Sequence, residues 1–257
     1  MIIFNKLRDL LFRIWYWYIS TIDKNADITF MNYGYSKDHN KIKLEEKDEK
    51  DRYSIQLYDY VASGVDIANK DILEIGSGRG GGISYVTRYH KPKSAYGLDL
   101  NSKAIEFCSA HYKQDNLRFI QGNAQLLEFA DESFDAVLNV ESSHRYPNVD
   151  EFINEVYRVL RPGGYFLFTD FRPPGELENL RRKLVGTNFI ILKNELITPH
   201  VLEALQNSTS ERVKLIQKIA PRILHGLSNK FAATEGSSTY KKFLTGKFEY
   251  FNKILQK

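Results

Sequence analysis

From residue 53 onward, apolar runs of strand length alternate with stretches of helical period. Asp71–Ile75 reads as a short strand ending at a glycine cluster, and Gly81–His90 as a helix. Residues 94–100 read as a second strand and 102–114 as a second helix, with Ala104, Ile105 and Cys108 on one face. Leu117–Gln121, Phe134–Val140 and residues 165–170 complete five strands. Between the last two, residues 148–160 form an amphipathic helix with Phe152, Ile153, Val156, Tyr157 and Leu160 inward. Asn148, with Glu151 three residues on, marks its start. Such alternation predicts an α/β fold, a mostly parallel sheet with helices on both faces.

The two ends depart from this rhythm. Over residues 1–19, Leu7, Leu10, Leu11, Ile14 and Tyr18 recur at helical spacing beside Trp15 and Trp17. Lys6, Arg8, Asp9 and Arg13 interrupt them, so no uncharged stretch reaches the roughly 18 residues needed to span a bilayer. No small-residue cleavage site of a signal peptide follows. Three roles stay open for this amphipathic helix: capping a pocket, packing on the domain, or peripheral contact with a membrane surface. Residues 36–52 are charged and poor in large apolar side chains, which predicts a mobile loop or the start of an exposed helix. Near the other end, residues 189–192 look like a strand, several helical segments follow between 199 and 243, and 248–255 is a final strand. The expected division is an N-terminal helix and lid over 1–52 and a ligand-binding domain over 53–257. A helical insertion at about 199–245 would wall the sheet's carboxyl edge, where open α/β sheets bind ligands.

Composition narrows the class. With 257 residues, 42% hydrophobic and 13% aromatic, the chain can bury a large core. The single cysteine, Cys108, rules out an internal disulfide and a cysteine-based metal centre and suits a reducing, cytoplasmic setting. A net charge of +4 with no basic run gives no reason to expect a nucleic-acid partner. No carboxylate–histidine cluster has metal-ligand spacing, so no metal is expected.

The strongest local signal is Glu74-Ile75-Gly76-Ser77-Gly78-Arg79-Gly80-Gly81-Gly82 after the first strand. Glycines there let the backbone turn tightly and approach a ligand without a Cβ clash. Gly76, Gly78 and Gly81 also satisfy the dinucleotide pattern G-x-G-x-x-G, which alone is weak evidence. Three features favour S-adenosylmethionine (SAM). Glu74, at the strand end, can meet an ammonium directly or through water and would sit badly beside a pyrophosphate. Asp99 ends the second strand, where it can accept both ribose hydroxyls of either cofactor. Gly122-Asn123-Ala124 follows the third strand, where a side chain can meet the adenine amino group. Leu160-Arg161-Pro162-Gly163-Gly164-Tyr165 serves as a turn from helix to strand.

Taken together, E-x-G-x-G-x-G, the acidic strand end and L-R-P-G-G resemble class I SAM-dependent methyltransferases. Asn139-Val140-Glu141-Ser142-Ser143-His144-Arg145-Tyr146-Pro147 is similar to the N-V-E-x-S-H-x-Y-P stretch of the phthiotriolone/phenolphthiotriolone dimethyltransferase family. Gly80 to Tyr85, Gly97 to Asn101 and Tyr165 to Arg172 are similar to it as well. Weaker likeness runs through Trp15 to Tyr18, Met31 to Tyr35 and the last strand. One departure is Asn123, where that family usually has Asp. The resemblance implies a Rossmann-like, seven-stranded sheet with N- and C-terminal helical caps, SAM as cofactor and a hydrophobic or lipid-like acceptor. Glu74, Gly76, Ser77, Gly78, Gly80, Asp99, Leu100, Asn123, Ala124 and Asn139 form the expected cofactor set. Tyr33 joins them as a ring able to face a sulfonium.

Methyl transfer from a sulfonium is an in-line displacement, so the protein mainly aligns reactants and excludes water. A hydroxyl or enol acceptor must lose a proton as it attacks. His144, on the loop after the fourth strand, is the expected base. The other five histidines are expected to be solvated. Oxygen is the expected methyl acceptor, with carbon or nitrogen open. Two other classes remain: an NAD-dependent oxidoreductase, opposed by Glu74 and L-R-P-G-G, and a non-catalytic SAM- or lipid-binding protein.

Overall fold

In a computed structural model, which describes residues 21, 23, 25–38 and 41–257, the apolar runs pair into one seven-stranded sheet. Its strands are β1 (Asp71–Ile75), β2 (Ser94–Asp99), β3 (Leu117–Gln121), β4 (Phe134–Val140), β5 (Leu160–Arg172), β6 (Ile190–Leu196) and β7 (Glu249–Gln256). The order is β3-β2-β1-β4-β5-β7-β6. All pairs are parallel except those of β7, which runs antiparallel between β5 and β6. The chain moves outward one way from β1 through β2 and β3, then returns to place β4 on β1's other side. Beside the carboxyl ends of β1 and β4 this reversal leaves a crevice, the usual ligand position in such sheets.

Successive strand side chains point to opposite faces, which sorts the core into two layers. Ile72, Ala136 and Leu138 face α1 (Arg52–Ala62) and α2 (Gly81–His90), burying Ile55, Val61, Ile83 and Val86. Leu73, Ile75 and Val137 face α4 (Val149–Val159) and α5 (Pro174–Val185), burying Phe152, Ile153, Val156, Leu180 and Leu184. Each large apolar side chain so buried contributes about 1.5–3 kcal/mol. Asn148 does cap α4: its side chain accepts from the N–H groups of Asp150 and Glu151.

Several expected boundaries shift. The second helix, α3 (Ser102–His111), stops short of residue 114 because Tyr112 turns to extended backbone and its hydroxyl donates to the Arg79 carbonyl at 3.1 Å. β5 begins at Leu160 rather than 165. Leu160 already pairs with Phe134, and Arg161 to Gly164 bulge out before pairing resumes at Tyr165. β6 is longer than expected and forms the sheet edge. Helix α5 carries a weak periodic signal. α5 buries only Leu180 and Leu184, and α1 emerges from the charged stretch. Where it is described, that stretch ends in a mostly exposed helical turn that runs into α1, in line with the start of an exposed helix, with Asp48 the turn's one buried residue. A 3₁₀ turn, Glu46–Asp51, buries Asp48 against Arg88, with bonds of 2.7 and 2.8 Å. In the stretch expected as an insertion lie α6 (Thr198–Ile219), α7 (His225–Phe231) and α8 (Ser238–Leu244). The amphipathic helix expected over 1–19, with its membrane, packing or capping role, lies outside the described residues. Among the described residues, no helix is long and apolar enough to cross a membrane.

Candidate active site

A cavity of about 690 Å³ opens at the carboxyl ends of β1, β2 and β4. Its floor is the glycine loop. Gly76 and Gly78 adopt left-handed backbone, φ 79° and 53°. A Cβ on Gly76 would lie 2.3 Å from the Ser142 hydroxyl, and one on Gly78 would lie 2.9 Å from Met31. Only glycine holds this turn while keeping the cradle open. The Gly76 and Ser77 N–H groups donate to the Leu98 carbonyl at 2.7 and 3.0 Å, locking the loop to β2. Asp99 fixes the rest. Its Oδ2 accepts from the Gly78 N–H and its Oδ1 from the Asn101 N–H, both at 2.8 Å. Burial raises its pKa, opposed by those N–H bonds.

Of the expected cofactor residues, Gly76, Ser77, Gly78, Asp99, Leu100 and Ala124 line this cavity. The other five, Glu74, Gly80, Asn123, Asn139 and Tyr33, are placed elsewhere. Glu74 is fully buried beneath the loop, where its Oε1 accepts from the Tyr58 hydroxyl at 2.6 Å. Tyr58, not Glu74, lines the cavity. Burial pushes the Glu74 carboxyl up to about 8. Asn123 closes a local turn by accepting from the Gln125 N–H at 3.0 Å. Gly80 is packed under Phe119 and Tyr112. Asn139 braces the crevice by donating to the Ile75 carbonyl at 2.8 Å and the Ser142 hydroxyl at 2.7 Å. The cradle suits SAM. Positive-φ glycines leave room where side chains would intrude, and the Ser77 hydroxyl is a buried polar atom of the lining with no hydrogen-bond partner.

A strap of N-terminal chain forms one wall of the cavity. Asp23 accepts from the Asp27 and Ile28 N–H groups and pairs with the buried Arg79 at 2.9 Å. Arg79 also donates to the Ile28 carbonyl and stacks 3.6 Å over Phe107. Thr29, Phe30, Met31 and Asn32 thereby reach the cavity wall.

A second cavity of about 160 Å³ adjoins the first, and Phe30, Met31, Glu141 and Arg145 line both. His144 and Tyr33 line only the second, so the Tyr33 ring lies in the neighbouring chamber, packed on Phe171 and Phe243. His144 Nδ1 is 2.8 Å from Asp170 Oδ1. Asp170, fully buried, also accepts from the His144 N–H and the Ser143 hydroxyl and pairs with Arg172 at 3.0 Å. The Arg172 guanidinium and the hydrogen bonds from His144 and Ser143 hold its carboxyl below the usual range, despite burial. Burial holds His144 below its ordinary value even with Asp170 beside it, which keeps the imidazole neutral near pH 7. With Nδ1–H directed at Asp170, Nε2 is left for the cavity. The rest of the wall carries Leu215, Ile216 and Ile219 from α6, with Phe171 and Phe231, beside the polar Arg212 and Ser228.

Asp170 and Tyr58 were not among the expected site residues, whereas Glu141 stands on the same loop as the expected base His144. A signal existed for Asp170, which lies inside the run Tyr165 to Arg172 singled out for its resemblance. Tyr58 had none, because a tyrosine in an amphipathic helix reads as core. Of the other histidines described, His111 is exposed as expected, and His90, His200 and His225 are half-buried. His90 contacts Asp59 at 3.2 Å, His111 stacks on Phe107, and His225 bonds the Ala220 carbonyl. Among the described residues, no three His, Cys, Asp or Glu side chains gather to hold a metal.

Sheet order, glycine cradle and acidic strand end together define a class I SAM-dependent methyltransferase. The comparisons agree. A model for a methyltransferase domain matches residues 73–168. The chain is 44% identical over 209 residues to a fatty-acid O-methyltransferase of Mycolicibacterium smegmatis, covering 81% of this chain and 76% of that one. It is 38% identical over 242 residues to a phthiotriol/phenolphthiotriol dimycocerosates methyltransferase of Mycobacterium tuberculosis, covering 93% and 90%. A crystal structure of geranyl diphosphate C-methyltransferase from Streptomyces coelicolor, with magnesium, geranyl diphosphate and S-adenosyl-L-homocysteine (SAH), shares the fold at a TM-score of 0.67. That match covers 94% of both chains at 16% identity. The chain belongs to the family of SAM-dependent methyltransferases that the two mycobacterial enzymes represent, and SAM is its cofactor.

Proposed function

We propose that the enzyme methylates an oxygen of an apolar, lipid-like acceptor seated in the second cavity, with His144 as general base. The observation that carries this reading is the His144–Asp170 pair in a chamber that Leu215, Ile216, Ile219, Phe171 and Phe231 also line. Arg212, Leu215, Ile216 and Ile219 recur on one face of α6, a stripe of about 10 Å at 1.5 Å per residue. An alkyl chain lying along it would present its hydroxyl near His144. The names of the two relatives, one a fatty-acid and one a phthiotriol methyltransferase, support a lipid acceptor.

In the first cavity, Asp99 would take the ribose hydroxyls, the Ser77 hydroxyl and glycine-loop backbone the methionine end, and Leu100 and Ala124 the adenine faces. When bound, SAM supplies a methyl already activated by the sulfonium. Four residues line both cavities, so the methyl would cross at Phe30, Met31, Glu141 and Arg145. Asp170 holds the His144 tautomer and balances the imidazolium formed as Nε2 takes the hydroxyl proton. The strap and α6 exclude water.

A second reading follows from Arg145, whose guanidinium could orient a carboxylate acceptor at the junction. A carboxylate is already ionised and needs no base. His144→Ala should therefore slow methylation of a long-chain alcohol by roughly 10²- to 10⁴-fold while sparing a fatty acid. Equal rates on the alcohol for wild type and variant would remove His144 from the chemistry.

A further inference from the structure

Glu141 supplies a carboxyl at the junction that the mechanism above leaves unused. It follows β4 directly and lines both cavities. Its backbone is left-handed, φ 49°, a conformation that disfavours a residue with a side chain by about 1–2 kcal/mol. That geometry is fixed from both sides. The Glu141 N–H donates to the Thr169 carbonyl at 3.0 Å. Glu141 Oε1 accepts from the Tyr33 N–H and from the Tyr250 hydroxyl, each at 2.6 Å. Strain accepted to aim one carboxyl at the meeting point of two cavities is a mark of function.

We propose that the Glu141 carboxylate reads the charge of the cofactor, holding cationic SAM more tightly than the neutral thioether SAH. An anion at the junction favours a sulfonium and gains nothing from a thioether. Once the methyl has left, the attraction is gone and product release is favoured over loss of unreacted cofactor. The inference rests on the placement of the methyl where the cavities meet. It needs no acceptor, so it stands or falls apart from the acceptor chemistry proposed above.

Around Glu141 stand Tyr33 from the strap, Tyr58 from α1, Tyr250 from β7, Asp170 from β5 and Arg212 from α6, with His144 and Arg145 on the adjoining turn. Burial raises the Glu141 carboxyl to about 8. Tyr58 and Tyr250 are pushed well above 10 and Asp170 is held low, so these three keep one charge state across the neutral range. Glu74 also titrates near 8. It lies under the loop expected to hold the amino-acid end, which SAM and SAH share, so its effect cancels in their ratio.

The test is calorimetric titration of the whole protein with SAM and with SAH between about pH 6.5 and 9. In wild type, the ratio of SAM to SAH affinity should rise with pH by about tenfold as Glu141 ionises. Glu141→Gln keeps an oxygen that can accept from Tyr33 and Tyr250, and its ratio should stay flat at the low-pH value while SAH affinity is unchanged. A flat wild-type ratio overturns the proposal, as does an equal loss of both ligands in the variant, which would make Glu141 a packing residue. Should the variant fail to fold, the wild-type profile alone decides.

Discussion

Three glycine-to-alanine substitutions separate backbone strain from lost space at the cofactor loop. Gly175 lies in the first turn of α5, with no atom within 4 Å of where a Cβ would stand and no positive φ. Alanine there should be neutral or stabilise by up to about 1 kcal/mol through helix propensity. Gly163 has φ 79° but open space around it, so alanine should cost about 1–2 kcal/mol of left-handed strain alone. Gly76 combines the same φ of 79° with Cβ contacts of 2.3 Å to Ser142 Oγ, 2.5 Å to its Cβ and 2.9 Å to the Tyr146 hydroxyl. Displacing Ser142 also disturbs its bonds to Asn139 and Tyr146, at 2.7 and 2.9 Å. Overpacking adds about 1–3 kcal/mol, giving about 2–5 kcal/mol in all. Urea unfolding with linear extrapolation reads each difference, and an unchanged m-value confirms that stability alone moved. Calorimetry with SAH should show weakened binding for Gly76→Ala and wild-type binding for the other two. A Gly76→Ala protein no less stable than Gly163→Ala would sink this division of the cost, because the clash would then contribute nothing.

Other outcomes follow from the same geometry. Asp99→Ala removes the acceptor for two loop N–H groups and should weaken SAH binding by about 100-fold or more in calorimetry, with the fold retained by circular dichroism. Asp23→Asn leaves the buried Arg79 charge without its partner and should lower unfolding stability by about 3–5 kcal/mol in urea titration. Glu74 and Glu141 have folded-state pKa values near 8 against an ordinary 4.5, so the folded protein binds more protons than the unfolded chain between those values. Stability of the ligand-free protein should fall as pH rises from about 5.5 to 7.5, by at most about 1.4 kcal/mol per unit for each group. A stability that climbs across that window would show that the two carboxyls are ionised in the folded state.

The parallel half of the sheet was legible because buried strands, amphipathic helices and glycine turns each leave a local pattern. Asp71–Ile75 and Phe134–Val140 fell within their expected bounds, and Asn148 capped its helix as read. What escaped was set by tertiary contact. α5 is mostly polar and exists because Leu180 and Leu184 reach the core. Asp48 looks like one more charge in a solvated run until Arg88, forty positions away, encloses it. The candidate site divides the same way. Gly76, Gly78 and Asp99 were readable because backbone approach and a strand-end carboxylate impose residue types. Asn123 and Tyr33 had suitable chemistry but are held by a local turn and by Phe171 and Phe243, which no spacing reveals.

The decisive experiment is to incubate the enzyme with SAM carrying a deuterated methyl and a long-chain alcohol, then locate the label by mass spectrometry. The His144–Asp170 chamber should yield a labelled methyl ether on the alcohol oxygen, formed by wild type and reduced at least about 100-fold in His144→Ala. Label on carbon or nitrogen, or no transfer to alcohols or fatty acids by a protein that binds SAM, would overturn the assignment of this chamber to oxygen methylation of a lipid.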